Sequence, residues 1–223
     1  MSTATDADIP AVNVPHDGPE EYNNIWQKIR AVWRYVLRHY GDDFEWFVIG
    51  GDDLFVVAEN LKAYLASDEI VGASADGASP LFLGRRFQIP GGQLFNSGGA
   101  GYVLNRAALR LLVSRLDEPA CGPKLKVFAE DVQVARCLAT ASPPVVPYDT
   151  RDELGRERFL PFTPQNHLTY RVPKNPDWYA KYSIGLKEGY DCCSTRAVSF
   201  HYVKPDLMPR MSALLYDCRL EAS

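Results

Sequence analysis

The chain has 223 residues, 46% of them hydrophobic and 23% charged, a composition typical of a globular protein long enough to bury one sizeable core. Its formal net charge is −4 and it contains no run of Lys or Arg, which argues against nucleic acid as a partner. No apolar stretch reaches the roughly eighteen residues of a membrane span, and residues 1–21 are too polar and acidic for a signal peptide.

The first regular element is predicted to be a long amphipathic helix. Residues 1–19 are small, polar and rich in proline, which predicts an irregular lead-in. From Pro19 to Tyr40, apolar residues recur at three- and four-residue spacing, the pattern of a helix with one buried face. Two tryptophans on that face, Trp26 and Trp33, are therefore expected in the core.

The central stretch of the chain reads as a buried strand, a tight turn and a second strand. Residues 46–57 combine an apolar run, two glycines, the acids Asp52 and Asp53, and another apolar run. Paired carboxylates at the end of a strand suit a divalent cation that bridges to phosphate. Since Gly and Asp are also the commonest turn formers, an ordinary surface turn is an equally open interpretation.

The middle of the chain is predicted to alternate short elements with a second glycine cluster. That cluster, residues 91–101, is neither a GxGxxG fingerprint nor a P-loop, and it suits a backbone that closely approaches a ligand or another segment. The other predicted elements are a helix over 58–66, a small-residue loop over 67–79, a strand over 81–83 and a helix from Asn105 to Leu116.

Two further elements carry titratable residues. A helix is predicted from Ala129 to Thr140, and its first turn holds Glu130 and Asp131, which by position alone are typical complements of the helix dipole. A loop-rich region follows, as far as Tyr190. The alternating residues 197–203 predict a strand that contains His201, and a lone His in such a strand is more often a hydrogen-bonded core residue than a ligand.

The five cysteines contain no CxxC pair and so do not form a metal-binding framework. Their odd number leaves at least one thiol free or paired outside the chain.

Five segments in this order resemble the core 1 β1,3-galactosyltransferases of glycosyltransferase family 31, which includes the fringe-like enzymes. The segments read WFVIGGDDLFVVAENL, LFLGRRF, SGGAGYVLNRAALR, AEDVQVARCL and CCSTRAVSFHYV. The resemblance implies an α/β fold of the GT-A type, with a mixed sheet flanked by helices, over residues 20–204, followed by a tail over 205–223. It also implies inverting transfer of galactose from UDP-galactose to the 3-hydroxyl of N-acetylgalactosamine on Ser or Thr, with Mn²⁺ as cofactor and a glycoprotein or glycopeptide as acceptor.

The resemblance also assigns roles to individual residues. Asp53, the last acid of the family's triplet, and His201 of the Phe-His-Tyr segment are implied to hold the metal, while Asp52 is implied to help bind the nucleotide. Asp131 matches the catalytic base, with Glu130 in support. The donor sugar is implied to lie against Gly98, Gly99 and Ala100. The residues that could border the acceptor are Arg85, Arg86, Trp178 and Tyr179, although Arg and aromatic residues also serve ordinary packing.

The resemblance changes the interpretation of the cysteines, because such transferases work in the lumen of the Golgi, where disulfides persist. Cys121 and Cys137 are then expected to pair. One of Cys192 and Cys193 is expected to need a partner elsewhere, such as Cys218.

The sequence departs from the family in two respects. Gly51 replaces the first acid of the triplet, which puts nucleotide affinity in doubt. The β-α-β units that hold uracil and ribose, and the membrane anchor, are expected to be missing before the acidic turn, so strands without neighbours would invite association, for example as a homodimer. An inactive, truncated module and a fringe-like N-acetylglucosaminyltransferase therefore stay open as alternatives.

Overall fold

The computed structural model describes residues 11–217, and these form a mixed α/β structure, as predicted. Residues 11–19 contain no helix or strand. The helices are α1 Ile25–Tyr40, α2 Ala58–Leu65, α3 Asp68–Ser74, α4 Arg106–Arg115, α5 Glu130–Ala139, α6 Pro164–Thr169, α7 Trp178–Tyr182 and α8 Met208–Ser212. The strands are β1 Trp46–Ile49, β2 Phe55–Val56, β3 Phe82–Gly84, β4 Arg86–Gln88, β5 Leu94–Asn96, β6 Tyr102–Asn105, β7 Phe159–Leu160 and β8 Ser199–Phe200.

Three small sheets organise these strands. The first has the order β1-β6-β3 and is antiparallel, with Phe47 opposite Leu104 and Leu83 opposite Val103. The second has the order β2-β8-β7, with β8 antiparallel to β2 and parallel to β7. The third is the β4-β5 hairpin. Because β8 lies between β2 and β7, the end of the chain returns beside the turn that follows β1.

The core forms where α1, α4 and α5 pack together beside β6. Trp26 and Trp33 on α1 are 0% and 1% exposed, which confirms the prediction that both belong to the core. The start of α4 is capped by Asn105, whose Oδ1 accepts the Ala108 N–H at 2.9 Å, also as predicted. Helix α5 packs against β5, so the glycine loop that follows β5 lies beside the first turn of α5.

The structure corrects three predictions about local elements. The predicted loop over 67–79 contains helix α3, whose start is capped by the Ser67 hydroxyl and followed by acids in the first turn. The strand predicted over 197–203 is reduced to the two residues of β8. The strand before the acidic turn is not fully buried, since β1 lies at the edge of its sheet and Val48 is 44% exposed.

Two disulfides join described cysteines. Cys121 bonds to Cys137, which confirms that pairing, and both are fully buried. Cys192 bonds to its neighbour Cys193, so the expectation that one of them needs a distant partner is wrong. Cys218 lies outside the described residues. Across residues 11–217, no helix combines the length and the hydropathy that a bilayer crossing would require.

Candidate active site

Several of the residues singled out in the sequence line a cavity of about 690 Å³. Its lining comes from the turn after β1, the glycine loop after β5, the first turn of α5 and the residues that follow β8. Asp52, Gly98, Gly99, Asp131 and His201 all contribute to it. These residues are separated by up to 149 positions in sequence, and the sheet order described above brings them together.

The acidic turn is held in place from both sides. The Leu54 N–H donates to the Gly51 carbonyl at 3.2 Å, which closes the turn, and the Val203 N–H donates to the Asp53 carbonyl at 2.9 Å, which ties it to the segment after β8. Gly101 adopts φ +73°, and a side chain there would collide with Leu54 and the Ile49 carbonyl. Glycine is therefore required where the glycine loop crosses the end of β1.

Asp53 and His201 meet at this crossing, with 3.3 Å between Asp53 Oδ1 and His201 Nε2. His201 Nδ1 lies 3.3 Å from the Pro161 carbonyl, which can only accept, so the Nδ1–H is directed to that carbonyl and Nε2 faces Asp53. Two atoms with lone pairs at that separation require a proton or a cation between them. Adjacent ligands of an octahedral cation with bonds of about 2.1 Å are about 3.0 Å apart, so the pair fits a divalent metal.

Asp52 does not join this pair as a third ligand. Its side chain lies on the same turn and lines the cavity, but it is exposed. Within residues 11–217, no third His, Cys, Asp or Glu approaches Asp53 and His201 closely enough to complete a three-residue set. An oxygen-preferring cation bound here would therefore take its remaining ligands from a substrate and water.

The two glycines after β5 lie so close to other side chains that any side chain of their own would collide. A Cβ on Gly98 would lie 2.5 Å from Glu130 Oε1, and a Cβ on Gly99 would lie 2.6 Å from His201 Nδ1. These two residues thus separate the carboxylates of α5 from the imidazole. Ala100 behaves differently from the prediction: it is 0% exposed and packs into the core behind the cavity, so it does not line the space for a donor sugar.

Glu130 and Asp131 occupy different environments within the first turn of α5. Asp131 Oδ2 accepts the Gly98 N–H at 2.9 Å and Oδ1 accepts the Val132 N–H at 2.8 Å. Glu130 Oε2 instead accepts the hydroxyl of Tyr102 at 2.9 Å. Neighbouring helix residues point about 100° apart, which explains why the two carboxylates have separate partners.

Burial acts on both carboxyls, and the hydrogen bonds then distinguish them. The pKa of Glu130 is raised to about 8, first by burial and then by the neighbouring charge of Asp131, while the Tyr102 hydrogen bond opposes the shift. Burial also raises the pKa of Asp131, but backbone N–H groups, first that of Gly98, favour its ionised form. Asp131 is thus the carboxylate better suited to accept a proton, while Glu130 tends to stay protonated near neutral pH.

Sequence reasoning missed the buried chain of hydrogen bonds behind Glu130. Trp33 Nε1–H donates at 3.2 Å to the oxygen of Tyr102, whose hydroxyl donates to Glu130. The three residues lie on α1, β6 and α5, so nothing in local spacing could have grouped them. This chain of contacts fixes the first turn of α5 against the core.

Of the four residues that could border the acceptor, one lines the cavity and three do not. Trp178 is 49% exposed and lines the cavity, whereas Tyr179 is 3% exposed and packs in the core. For Arg85 the alternative of ordinary packing holds: it is 0% exposed, forms an ion pair with Glu157 and lies over the rings of Phe87 and Tyr179. Arg86 forms an ion pair with Asp149 at 2.5 Å, away from the cavity lining.

One other group of metal-capable side chains occurs in the described part of the chain. His167 lies near Cys192 and Cys193, but the two sulfurs are bonded to each other and His167 Nε2 accepts the Phe162 N–H at 3.1 Å. Burial lowers the pKa of His167 to about 3. This group is accordingly structural.

A mixed α/β fold with a carboxylate and an imidazole lining one cavity, and a second carboxylate in contact with the imidazole, suits a group-transfer enzyme. The chain is a homologue of curated glycosyltransferases. It is similar to glycoprotein-N-acetylgalactosamine 3-beta-galactosyltransferase 1 of Xenopus laevis, with 35% identity over 221 residues that cover 98% of this chain and 58% of the relative. The resemblance to core 1 galactosyltransferases is thereby confirmed.

Two further relatives are less similar and are matched over smaller shares. Human chondroitin sulfate synthase 3 is 29% identical over 58% of this chain and 15% of its own length. A mouse beta-1,3-glucosyltransferase is 27% identical over 66% of this chain and 27% of its own length. No protein-family profile matches the chain. The chain thus spans little more than half of the Xenopus relative and smaller parts of the other two.

Proposed function

We propose that residues 20–204 form the catalytic unit of an inverting β1,3-galactosyltransferase. The donor is UDP-galactose, and the acceptor is the 3-hydroxyl of an N-acetylgalactosamine carried by Ser or Thr of a glycoprotein. The observation that carries the proposal is that Asp131 and His201 line one cavity and that Asp53 contacts His201 beside it, although the three come from distant parts of the sequence. The similarity to a relative named for this galactosyl transfer supports the choice of sugars.

Asp53 and His201 are the residues that would hold a divalent cation such as Mn²⁺, through one carboxylate oxygen and the Nε2 lone pair. When bound, the cation neutralises the charge that develops on the departing diphosphate. Asp52, exposed on the same turn, can contact the nucleotide. Gly98 and Gly99 line the cavity proposed to hold the donor sugar, and their lack of side chains lets the loop pass closely between the imidazole and the carboxylates of α5.

Asp131 acts as the general base of a single displacement. It accepts the proton of the acceptor 3-hydroxyl as that oxygen bonds to C1 of galactose and the bond from C1 to the diphosphate oxygen breaks. UDP leaves with the electron pair of that bond, and no covalent enzyme intermediate forms. The Gly98 N–H orients the Asp131 carboxylate for this role.

Incubation with UDP-galactose, Mn²⁺ and a peptide bearing N-acetylgalactosamine tests the proposal. We expect a galactosylated peptide, and less product with UDP-N-acetylglucosamine or UDP-glucose as donor. A preference for UDP-N-acetylglucosamine would instead support the fringe-like alternative. Product no greater than in the reaction without the chain would remove the proposal.

A second candidate function is a non-catalytic partner module, favoured by the open edge of the first sheet. Among the described residues, β1 has β6 as its single neighbour, and Val48 and Phe44 beside it are 44% and 55% exposed. Such an edge is a template for pairing with another chain, including a second copy. Calorimetry with UDP and Mn²⁺ separates the candidates, because the module should show no binding, whereas the transferase should bind at about micromolar Kd.

We also propose that the catalytic unit works on the lumenal side of Golgi membranes. Two disulfides support this, because such bonds persist in oxidising compartments and are rare in the cytosol. Immunolocalisation with a lumenal marker is the direct test.

A further inference from the structure

Two exposed aromatic rings stack on each other at the mouth of the cavity. The ring centroids of Tyr22 and Phe128 are 5.4 Å apart and the ring planes differ by 14°. Tyr22 is 70% exposed and Phe128 is 54% exposed, yet both line the cavity that holds Asp131. Large rings of this kind normally lose most of their exposure in a folded chain, so the pair presents apolar surface to something outside it.

The structure holds these rings rigidly, although they are exposed. Four residues after Tyr22, the Trp26 N–H donates to the Val127 carbonyl at 3.1 Å, and Trp26 Nε1–H donates to the Gly122 carbonyl at 3.0 Å. The Gln27 amide donates to the Leu125 carbonyl at 2.6 Å. The segment that carries Phe128 is therefore attached to the start of α1 at several points. A preorganised aromatic surface loses little conformational entropy when it binds.

The pair lies on the acceptor side of the cavity. Phe128 precedes Glu130 and Asp131 by two and three residues, and the Glu130 N–H donates to the Phe128 carbonyl at 2.8 Å. Gly98 and Gly99 separate these carboxylates from His201, where the diphosphate leaves. In an inverting displacement the nucleophile enters on the face of the sugar opposite the leaving group. The acceptor must therefore approach Asp131 from the side of α5.

We propose that Tyr22 and Phe128 form a subsite for the polypeptide that carries the acceptor sugar, an inference that rests on the proposed function. With its 3-hydroxyl at Asp131, the acceptor sugar occupies the cavity and its attached peptide extends to the rim. The flat apolar faces of the stacked rings suit aliphatic side chains and proline rings of that peptide. The acid Glu21, exposed next to Tyr22, disfavours an acidic peptide.

Equilibrium binding in the presence of UDP and Mn²⁺ tests the subsite, with two acceptors compared by calorimetry. One is an uncharged, proline-containing glycopeptide, and the other is methyl α-N-acetylgalactosaminide, which lacks the peptide. Tyr22→Ala and Phe128→Ala should each weaken glycopeptide binding about threefold, and the double variant about tenfold. Affinity for the methyl glycoside and for UDP should stay the same. Phe44→Ala is the matched control, because Phe44 is 55% exposed but lies outside this cavity.

Several outcomes would overturn the subsite. Unchanged glycopeptide affinity in the double variant, equal weakening of both acceptors, or no glycopeptide binding by the wild-type chain would each do so. A wild-type dimer that dissociates in the double variant would show instead that a second copy covers the rings. Failure of the proposed function is recognised separately, by the absence of UDP binding and of sugar transfer in the wild-type chain. Urea unfolding of each variant checks that these exposed substitutions leave the fold intact.

Discussion

Gly99→Ala is the substitution that most directly tests the arrangement of Asp53 and His201. The new methyl group would lie 2.6 Å from His201 Nδ1 and 3.1 Å from Nε2, whereas ordinary contacts begin at about 3.4 Å. Because Cε1 of the same ring lies closer still, the imidazole must move by at least about 0.8 Å. Metal-ligand distances tolerate about 0.2 Å, so His201 can no longer share a cation with Asp53. Gly99 does not have a positive φ, so the substitution tests the collision without added backbone strain.

We expect Mn²⁺ affinity, measured by calorimetry with UDP present, to fall about 10- to 100-fold, which corresponds to roughly 1.4 to 2.8 kcal/mol. Gly72→Ala is the matched control, because a Cβ at Gly72 in α3 meets nothing within 4 Å. In that control, Mn²⁺ affinity should be unchanged and the free energy of unfolding should rise by about 0.5 to 1 kcal/mol. Wild-type metal affinity in Gly99→Ala would refute a shared metal site, and an equal loss in Gly72→Ala would make the effect nonspecific.

The remaining predictions concern the carboxylates and the buried disulfide. Asp131→Asn should lower kcat about 10²- to 10⁴-fold while calorimetry shows UDP and Mn²⁺ binding retained; equal loss of both would contradict its role as base. The pKa of Glu130 is about 8 in the folded chain and near 4.5 in the unfolded chain. The free energy of unfolding should therefore fall as the pH rises from about 4.5 to about 8. Glu130→Gln should flatten that slope in urea unfolding at pH 5 and pH 8, and an unchanged slope would refute the assignment. Replacing Cys121 and Cys137 with Ser should lower the free energy of unfolding by about 3 kcal/mol, because their bridge closes a loop of 16 residues in the unfolded chain. A loss below about 1 kcal/mol would contradict stabilisation by loop closure.

Local patterns predicted the helices that have clear ends. The apolar spacing and Gly41 define α1, and the Asn105 side chain defines the start of α4, because periodicity and capping depend on nearby residues alone. Helix α3 was missed, although Ser67 followed by Asp68 and Glu69 is an N-terminal helix signal, because the small residues after them suggested a loop.

The candidate site was predictable only in part. The resemblance indicated Asp53, His201 and Asp131, and the structure places Asp131 and His201 in the lining of one cavity and Asp53 in contact with His201. It could not indicate that Ala100 faces the core or that Arg85 is buried with Glu157, because burial depends on which distant segments pack around a residue. Arg85 is an example of a charge that looks exposed in sequence and is neutralised by a partner 72 positions away.

The sequence by itself determined the periodic helices, the glycine-rich turns and the ordered motifs that identify the chain as a transferase homologue, since these depend on residues close together along the chain. Tertiary structure alone decided that Trp33 and Tyr102 support Glu130 and that an imidazole from the end of the chain reaches an acid near its start. It also decided that Tyr22 and Phe128 stack beside the proposed base. The physical reason is that sheet pairing and core packing join segments regardless of their separation, so the chemistry of a site that such contacts build becomes visible only in the folded chain.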